Sequence, residues 1–259
     1  MKKVLLGAIL VGALVVIGGC TTTTENEVLQ SPGTLTYQVV NNGYAIQLNW
    51  DAVTDADGYY VYFNDAAVDT IDDKDSTTII VDQIGVYKVA AYKGDIVSDP
   101  TNSLDFRPVE TSNVTIYDAS VYSDTTHPSG AGWDVNNGTM YVYPLTDHCD
   151  VVDLFYYSGT VRGIQTSQVT CPNSPDSTFF NLVTPLRYGD VDSVTVEPTS
   201  SQFAVNVNDV YTVKVVTSDH QVYYGKIQVI GVNDTDHSVT LKAALQTHAG
   251  LKRVGNAAK

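Results

Sequence analysis

From Ser31 onward the apolar residues of this chain recur at every second position, in short runs cut by clusters of Gly, Asn, Asp and Pro. A period of two puts alternate side chains on one face of an extended strand, whereas a helix needs a period near 3.6. Ile46, Leu48 and Trp50 share one face while Gln47 and Asn49 share the other. Tyr59, Val61 and Phe63 repeat the row after the turn Asp55-Ala56-Asp57-Gly58, and Tyr87, Val89 and Ala91 form a third. Alternation restarts at Val114 and Ile116, continues through Met140 and Val142 after Asn137-Gly138, and returns at Val152, Leu154 and Tyr156. Residues 211–216, 222–232 and 238–245 are spaced for a three-strand antiparallel meander. Only 241–251 also reads as a helix. The expected fold is therefore all-β: a sandwich over 31–108, a second antiparallel β domain (sandwich or partly open barrel) over 109–254, and a tail at 255–259. Arg107-Pro108-Val109-Glu110 marks the boundary, because Pro interrupts strand pairing.

Composition excludes some functions. An apolar share of 43% with 17% charged residues is enough for packed cores and unlike a disordered chain. A formal charge of −15 argues against nucleic acid as a partner, since phosphate binding needs Lys and Arg.

The N-terminus reads as a targeting segment. Lys2 and Lys3 precede an apolar stretch over 4–17, too short to span a bilayer, and Ile17-Gly18-Gly19-Cys20 closes it. These four residues resemble the lipobox of bacterial lipoproteins. The resemblance implies a signal peptide over 1–19, cleavage before Cys20, and acyl chains such as palmitate on that cysteine. Residues 20–30 then hold the lipidated Cys and a polar tether, including Thr21-Thr22-Thr23-Thr24-Glu25-Asn26-Glu27. Each buried methylene adds about 0.8 kcal/mol, so membrane lipid would hold acylated Cys20 firmly. Thr21 after the cysteine is compatible with the outer membrane if the cell is Gram-negative. Loss of Lys2 and Lys3 with the leader would take the net charge from −15 to −17.

With Cys20 given to lipid, Cys149 and Cys171 remain as a pair. In an oxidising compartment the expectation is a disulfide, contributing on the order of 3 kcal/mol. The alternative is zinc held by Asp147-His148-Cys149-Asp150 with Cys171, although no CxxC or HxxxH spacing supports it.

Trp50, Gly58-Tyr59-Tyr60-Val61-Tyr62 and Ile84-Gly85-Val86-Tyr87-Lys88-Val89-Ala90-Ala91 together resemble a fibronectin type III domain. That resemblance implies a spacer or binding module and carries no reaction. There is no Arg-Gly-Asp triplet. In the second half, Asp150-Val151-Val152-Asp153-Leu154-Phe155-Tyr156, Ser174-Pro175, Tyr211-Thr212-Val213-Lys214 and Tyr224-Gly225-Lys226-Ile227 resemble a module of uncharacterised bacterial surface lipoproteins, which implies no activity.

The sequence has no Gly-x-Ser-x-Gly elbow, His-Glu-x-x-His helix or phosphate-cradling glycine loop. Asp150 with Asp153, or Asp190 with Asp192, could form the carboxylate pair of a hydrolase, but solvated strand edges are expected. His127, His148, His220, His237 and His248 lie beside turn residues and are expected to be exposed. Asp69, Asp72, Asp73 and Asp75, or Asn233, Asp234 and Asp236, offer clustered oxygens for calcium without matching an EF-hand. Trp133 follows Ser129-Gly130-Ala131-Gly132, expected to be a flexible loop. It is the candidate ligand-binding residue, able to stack a sugar or a protein side chain, with a role as a core plug opposed to it. Residues 237–259 hold Lys242, Lys252, Arg253, Lys259 and no acid, and are expected to form a solvated end.

No catalytic residue, metal or cofactor is assigned. The function expected is that of a non-enzymatic, membrane-anchored surface or periplasm-facing lipoprotein of the cell envelope, with a structural, adhesive or protein-binding role. The alternatives are a glycan-binding accessory lipoprotein and a secreted hydrolase using an aspartate pair.

Overall fold

The computed structural model describes residues 28–255 apart from 123, 145–147, 160–161, 172–173, 175 and 184. The leader and Cys20 lie outside the described residues. The period-two rows become strands. In the first unit these are β1 (Thr36–Val40), β2 (Ala45–Asn49), β3 (Gly58–Phe63), β4 (Ala66–Ile71), β5 (Thr78–Val81), β6 (Val86–Lys93), β7 (Ile96–Val97) and β8 (Leu104–Asp105). One sheet runs β1-β2-β5 and the other β4-β3-β6-β7, with β8 also paired to β6. The core between them is filled by the expected rows, with Ile46, Leu48, Trp50, Tyr59, Val61 and Val89 all buried. Each such side chain contributes about 1.5–3 kcal/mol by leaving water. Buried tyrosine hydroxyls are satisfied by backbone: Tyr59 Oη accepts from Val53 N at 2.9 Å, and Tyr87 Oη donates to the Gln83 carbonyl at 3.0 Å.

The second unit contains β9 (Val109–Tyr117), β10 (Gly130–Trp133), β11 (Met140–Tyr143), β12 (Leu154–Tyr157), β13 (Gly163–Thr166), the single helical turn α1 (Ser167–Thr170), β14 (Ser177–Leu182), β15 (Gln202–Ala204), β16 (Val210–Val216), β17 (Val222–Asn233) and β18 (Ser238–Leu245). The sheets run β11-β10-β12-β13-β15 and β14-β16-β17-β18-β9, and neither closes into a barrel. Ile116, Leu154, Ile164, Val213, Ile227 and Leu241 pack between them. The meander appears as β16-β17-β18. Residues 241–245 are strand, so the helical alternative for 241–251 is not adopted.

The expected flexible loop before Trp133 is instead the fully buried strand β10. Glycine is required there for proximity, because a Cβ at Gly132 would collide with the Val151 carbonyl oxygen.

The outer face of the β14-β16-β17-β18-β9 sheet carries a smaller core. Tyr188, Val191, Val194 and Val254 pack there on Val210, Tyr224 and Ala244. Alternation explains the arrangement: Tyr211, Val213, Ile227 and Val229 face the main core, while Val210, Tyr224 and Lys226 face outward beneath the 183–194 segment.

The end of the chain corrects the expectation of a solvated tail. After β18 it returns to the first unit, and Leu251 is buried in that unit's core. The β1–β2 turn receives it: Lys252 N donates to the Gly43 carbonyl at 2.8 Å, and Arg253 Nε donates to the Tyr44 carbonyl at 3.0 Å. Tyr44 Oη donates to the Val194 carbonyl at 2.8 Å. Gly43 is doubly constrained, with φ at +94° and the Gly250 carbonyl where a Cβ would stand. Gln246 and His248 complete the contact against Phe106 and Tyr37. Three of the tail's four cations are engaged, through Lys242–Glu110 at 3.2 Å, Lys252–Glu197 at 3.1 Å and Arg253–Asp82 at 3.8 Å. Lys259 lies outside the described residues.

Candidate functional site

An open cleft of about 430 Å3 lies beside the β10–β11 hairpin, lined by Trp133, Asp134, Asn136, Tyr141, Tyr143, Asp150, Val151 and Asp176, among others. The hairpin positions the aromatic residues. Its turn is closed by Asp134 N donating to the Thr139 carbonyl at 3.0 Å, while the Asp134 carboxylate accepts from Asn136 N at 3.0 Å and Asn137 Nδ2 at 2.7 Å. Trp133 belongs to the main core and is only 7% exposed, with its indole N–H buried and unpartnered. At that exposure it leaves little surface for a ligand. Tyr141, 44% exposed on the outer strand, offers far more contact surface. Sequence reasoning did not single out Tyr141 or Tyr143, although their two-residue spacing across β11 was a usable signal.

One wall is held by the Cys149–Cys171 disulfide, with Cα atoms 5.7 Å apart. The bridge ties the 148–152 loop to the end of α1, and Cys171 packs with Val152 and Phe155. The zinc alternative fails on this point, because neither sulfur remains a thiolate ligand. Asp147 lies outside the described residues.

Asp153 does not lie on a solvated edge. It is buried, accepting from Trp133 N at 2.7 Å through one oxygen and from Thr178 Oγ1 at 2.6 Å through the other. Trp133 stands on β10 and Thr178 on β14, so this carboxyl ties the two sheets together. Desolvation pushes its pKa up to about 6 despite both hydrogen bonds. Asp150 is exposed, so Asp150 and Asp153 do not share an open face. Asp176 accepts from Ser218 N at 2.8 Å, and partial desolvation raises its carboxyl above the ordinary range.

The remaining candidates are spread over the surface. Asp190 and Asp192 are exposed beside the 3-10 turn Tyr188–Asp190. Asp73 accepts from Asp75 N at 3.0 Å within its own turn, Asn233 Nδ2 donates to Asp236 at 2.6 Å, and Asp234 pairs with Arg162 at 2.5 Å. Among the described residues no three His, Cys, Asp or Glu side chains converge to hold a metal. His248 departs from the expected exposure: it is largely buried, stacked on Tyr37 and edge-on to Phe106, and burial lowers its pKa. Near His237, Asp118 accepts from the backbone N–H and hydroxyl of both Ser120 and Ser158. The Ser158 hydroxyl lies 3.3 Å from His237 Nδ1. With its proton directed at Asp118, that serine is a structural tie between β9, β12 and the β17–β18 turn.

Fold and site thus describe a two-unit all-β protein with an aromatic, acid-lined cleft in its second unit. Compared with known proteins, the chain matches no family model and no curated protein. A solved structure with partial likeness is the spore cortex lytic enzyme SleM of Clostridium perfringens, 23% identical, with a TM-score of 0.26. The match covers 30% of this chain and 28% of SleM, and so little overlap carries no argument about fold or activity.

Proposed function

We propose that this protein is a non-enzymatic lipoprotein of the cell envelope, anchored by acylated Cys20, that holds its second β unit on a rigid stalk formed by the first. The observation that carries the stalk is the returning chain end, with Leu251 buried in the first core and Lys252 and Arg253 bonded to the β1–β2 turn. The two facing antiparallel sheets, of three and five strands, and the Tyr87–Gln83 bond support the fibronectin type III resemblance, and with it a spacer role. The anchor rests on the lipobox-like residues. Membranes washed at high salt should retain the wild-type chain carrying palmitate label, and Cys20→Ala should move to the soluble fraction without label. A Cys20→Ala chain that stays with the membranes overturns the anchor.

A second reading, glycan binding by the cleft, is favoured by the grouping of Tyr141 and Tyr143 with Asp134, Asn136 and Asp150. Tyr141→Ala is the informative variant. Binding on a glycan array that disappears in this variant supports the reading, and an array without any binding by the intact chain removes it.

A further inference from the structure

In a chain with 14 Lys and Arg against 29 acids, two lysines meet an aromatic ring on the outer face of the second unit. There Tyr188 packs on the β16–β18 surface with two ammonium groups close to its ring: Lys226 Nζ at 4.4 Å and Lys242 Nζ at 4.5 Å from the centroid. Lys226 is fully buried and donates to the carbonyls of Tyr188 at 2.9 Å and Val191 at 3.0 Å, which holds it in place, while desolvation lowers its pKa to about 8. Beside it opens a cleft of about 560 Å3, with Arg187, Tyr188, Asn208, Gln228 and Lys242 supplying its polar lining and no carboxylate among its lining residues.

The donors in this cleft are largely unspent. Arg187 is exposed, and among the described residues its guanidinium has no partner; the same holds for the side-chain amides of Asn208 and Gln228. The Tyr188 hydroxyl is buried beside the Glu110 carboxylate and is therefore not a free donor for the cleft. Glu110 offsets part of the Lys242 charge at 3.2 Å, which leaves Arg187 as the cation of this cleft without an acidic partner among the described residues. A guanidinium fork, an ammonium and amide N–H groups around one cavity match a compact oxyanion with several acceptor oxygens.

We propose that this cleft is a binding site for a phosphate-type oxyanion, held by Arg187 and Lys242 with Asn208 and Gln228 as neutral donors. The site does not depend on lipidation of Cys20 or on the Trp133 cleft. The two sources of such a group are a soluble phosphate ester and a phospholipid headgroup.

The test is an amide NMR titration of the soluble Cys20→Ala chain with inorganic phosphate, against chloride at equal ionic strength. Saturable shifts confined to residues around Arg187, Asn208, Gln228 and Lys242 are expected, with Arg187→Ala weakening binding by about tenfold, a loss of one charge-assisted contact. Arg187 is exposed, so this variant should leave the rest of the spectrum unchanged. Shifts equal to those with chloride, or an Arg187→Ala chain that titrates like its parent, overturn the proposal. Sedimentation with phosphatidic acid vesicles that phosphate competes away identifies the headgroup source; phosphate binding without vesicle binding identifies a soluble ester.

Discussion

The side-chain amide of Gln246 donates to the backbone carbonyl of Phe106 at 2.8 Å, across 140 residues of sequence, and to the carbonyl of Arg253 at 3.1 Å. Gln246 is fully buried, so both carbonyls lose their partner if the amide is removed. Gln246→Ala should destabilise the chain by about 2 kcal/mol, the cost of leaving buried acceptors unmade. Urea unfolding measures this, and an unchanged midpoint would show that the bond carries no weight.

His248 sits in the same contact with its Nε2 buried and unpartnered, 4.9 Å from the Tyr37 ring and 4.5 Å from that of Phe106. Desolvation lowers its pKa below the ordinary value of 6.5, with Asp105 opposing. The unfolded chain therefore binds the proton first as pH falls, and stability is lost below about pH 6.5. His248→Phe keeps the ring contacts and removes both the proton and the unpaired nitrogen. The variant should be at least as stable at pH 7 and should lose less stability by pH 5, as thermal melts at the two pH values would show.

Asp153 works in the opposite sense. A carboxyl whose folded pKa is raised from 3.8 to about 6 favours the fold while protonated, so its contribution declines as pH rises from about 4 to 6. The difference is on the order of 3 kcal/mol for so buried a group. Asp153→Asn, which can still accept from Trp133 N–H, should remove this slope, and urea titrations at pH 4 and pH 7 would reveal it.

The Cys149–Cys171 bridge closes a separation of 22 residues along the cleft wall. Cys149→Ser with Cys171→Ser should cost about 3 kcal/mol and loosen the 148–152 loop. Hydrogen exchange should quicken at Val151 and Val152 while β16–β18 stays protected.

Strand content was legible in the sequence because Ile46-Leu48-Trp50 and Tyr87-Val89-Ala91 declare their inward face by local alternation. What depends on distant partners was not. Gly130-Ala131-Gly132 reads as a loop because glycine is poor in strands, and only the approach of Val151 explains it. Asp153 looks like any of 29 acids until Thr178 and Trp133 N are seen beside it. The basic chain end looks solvated because nothing local shows that Leu251 belongs to a core starting at Leu29. Of the cleft, Trp133 was identified from its sequence setting, whereas the exposed Tyr141 came only from the hairpin geometry.

The central claim is that the returning chain end makes the two β units one rigid body. Differential scanning calorimetry of the soluble Cys20→Ala chain tests it directly. One cooperative transition with matching calorimetric and van't Hoff enthalpies is predicted, splitting into two when Gln246→Ala is combined with Arg253→Ala. Two independent transitions in the Cys20→Ala chain itself, unaffected by those substitutions, would contradict the account.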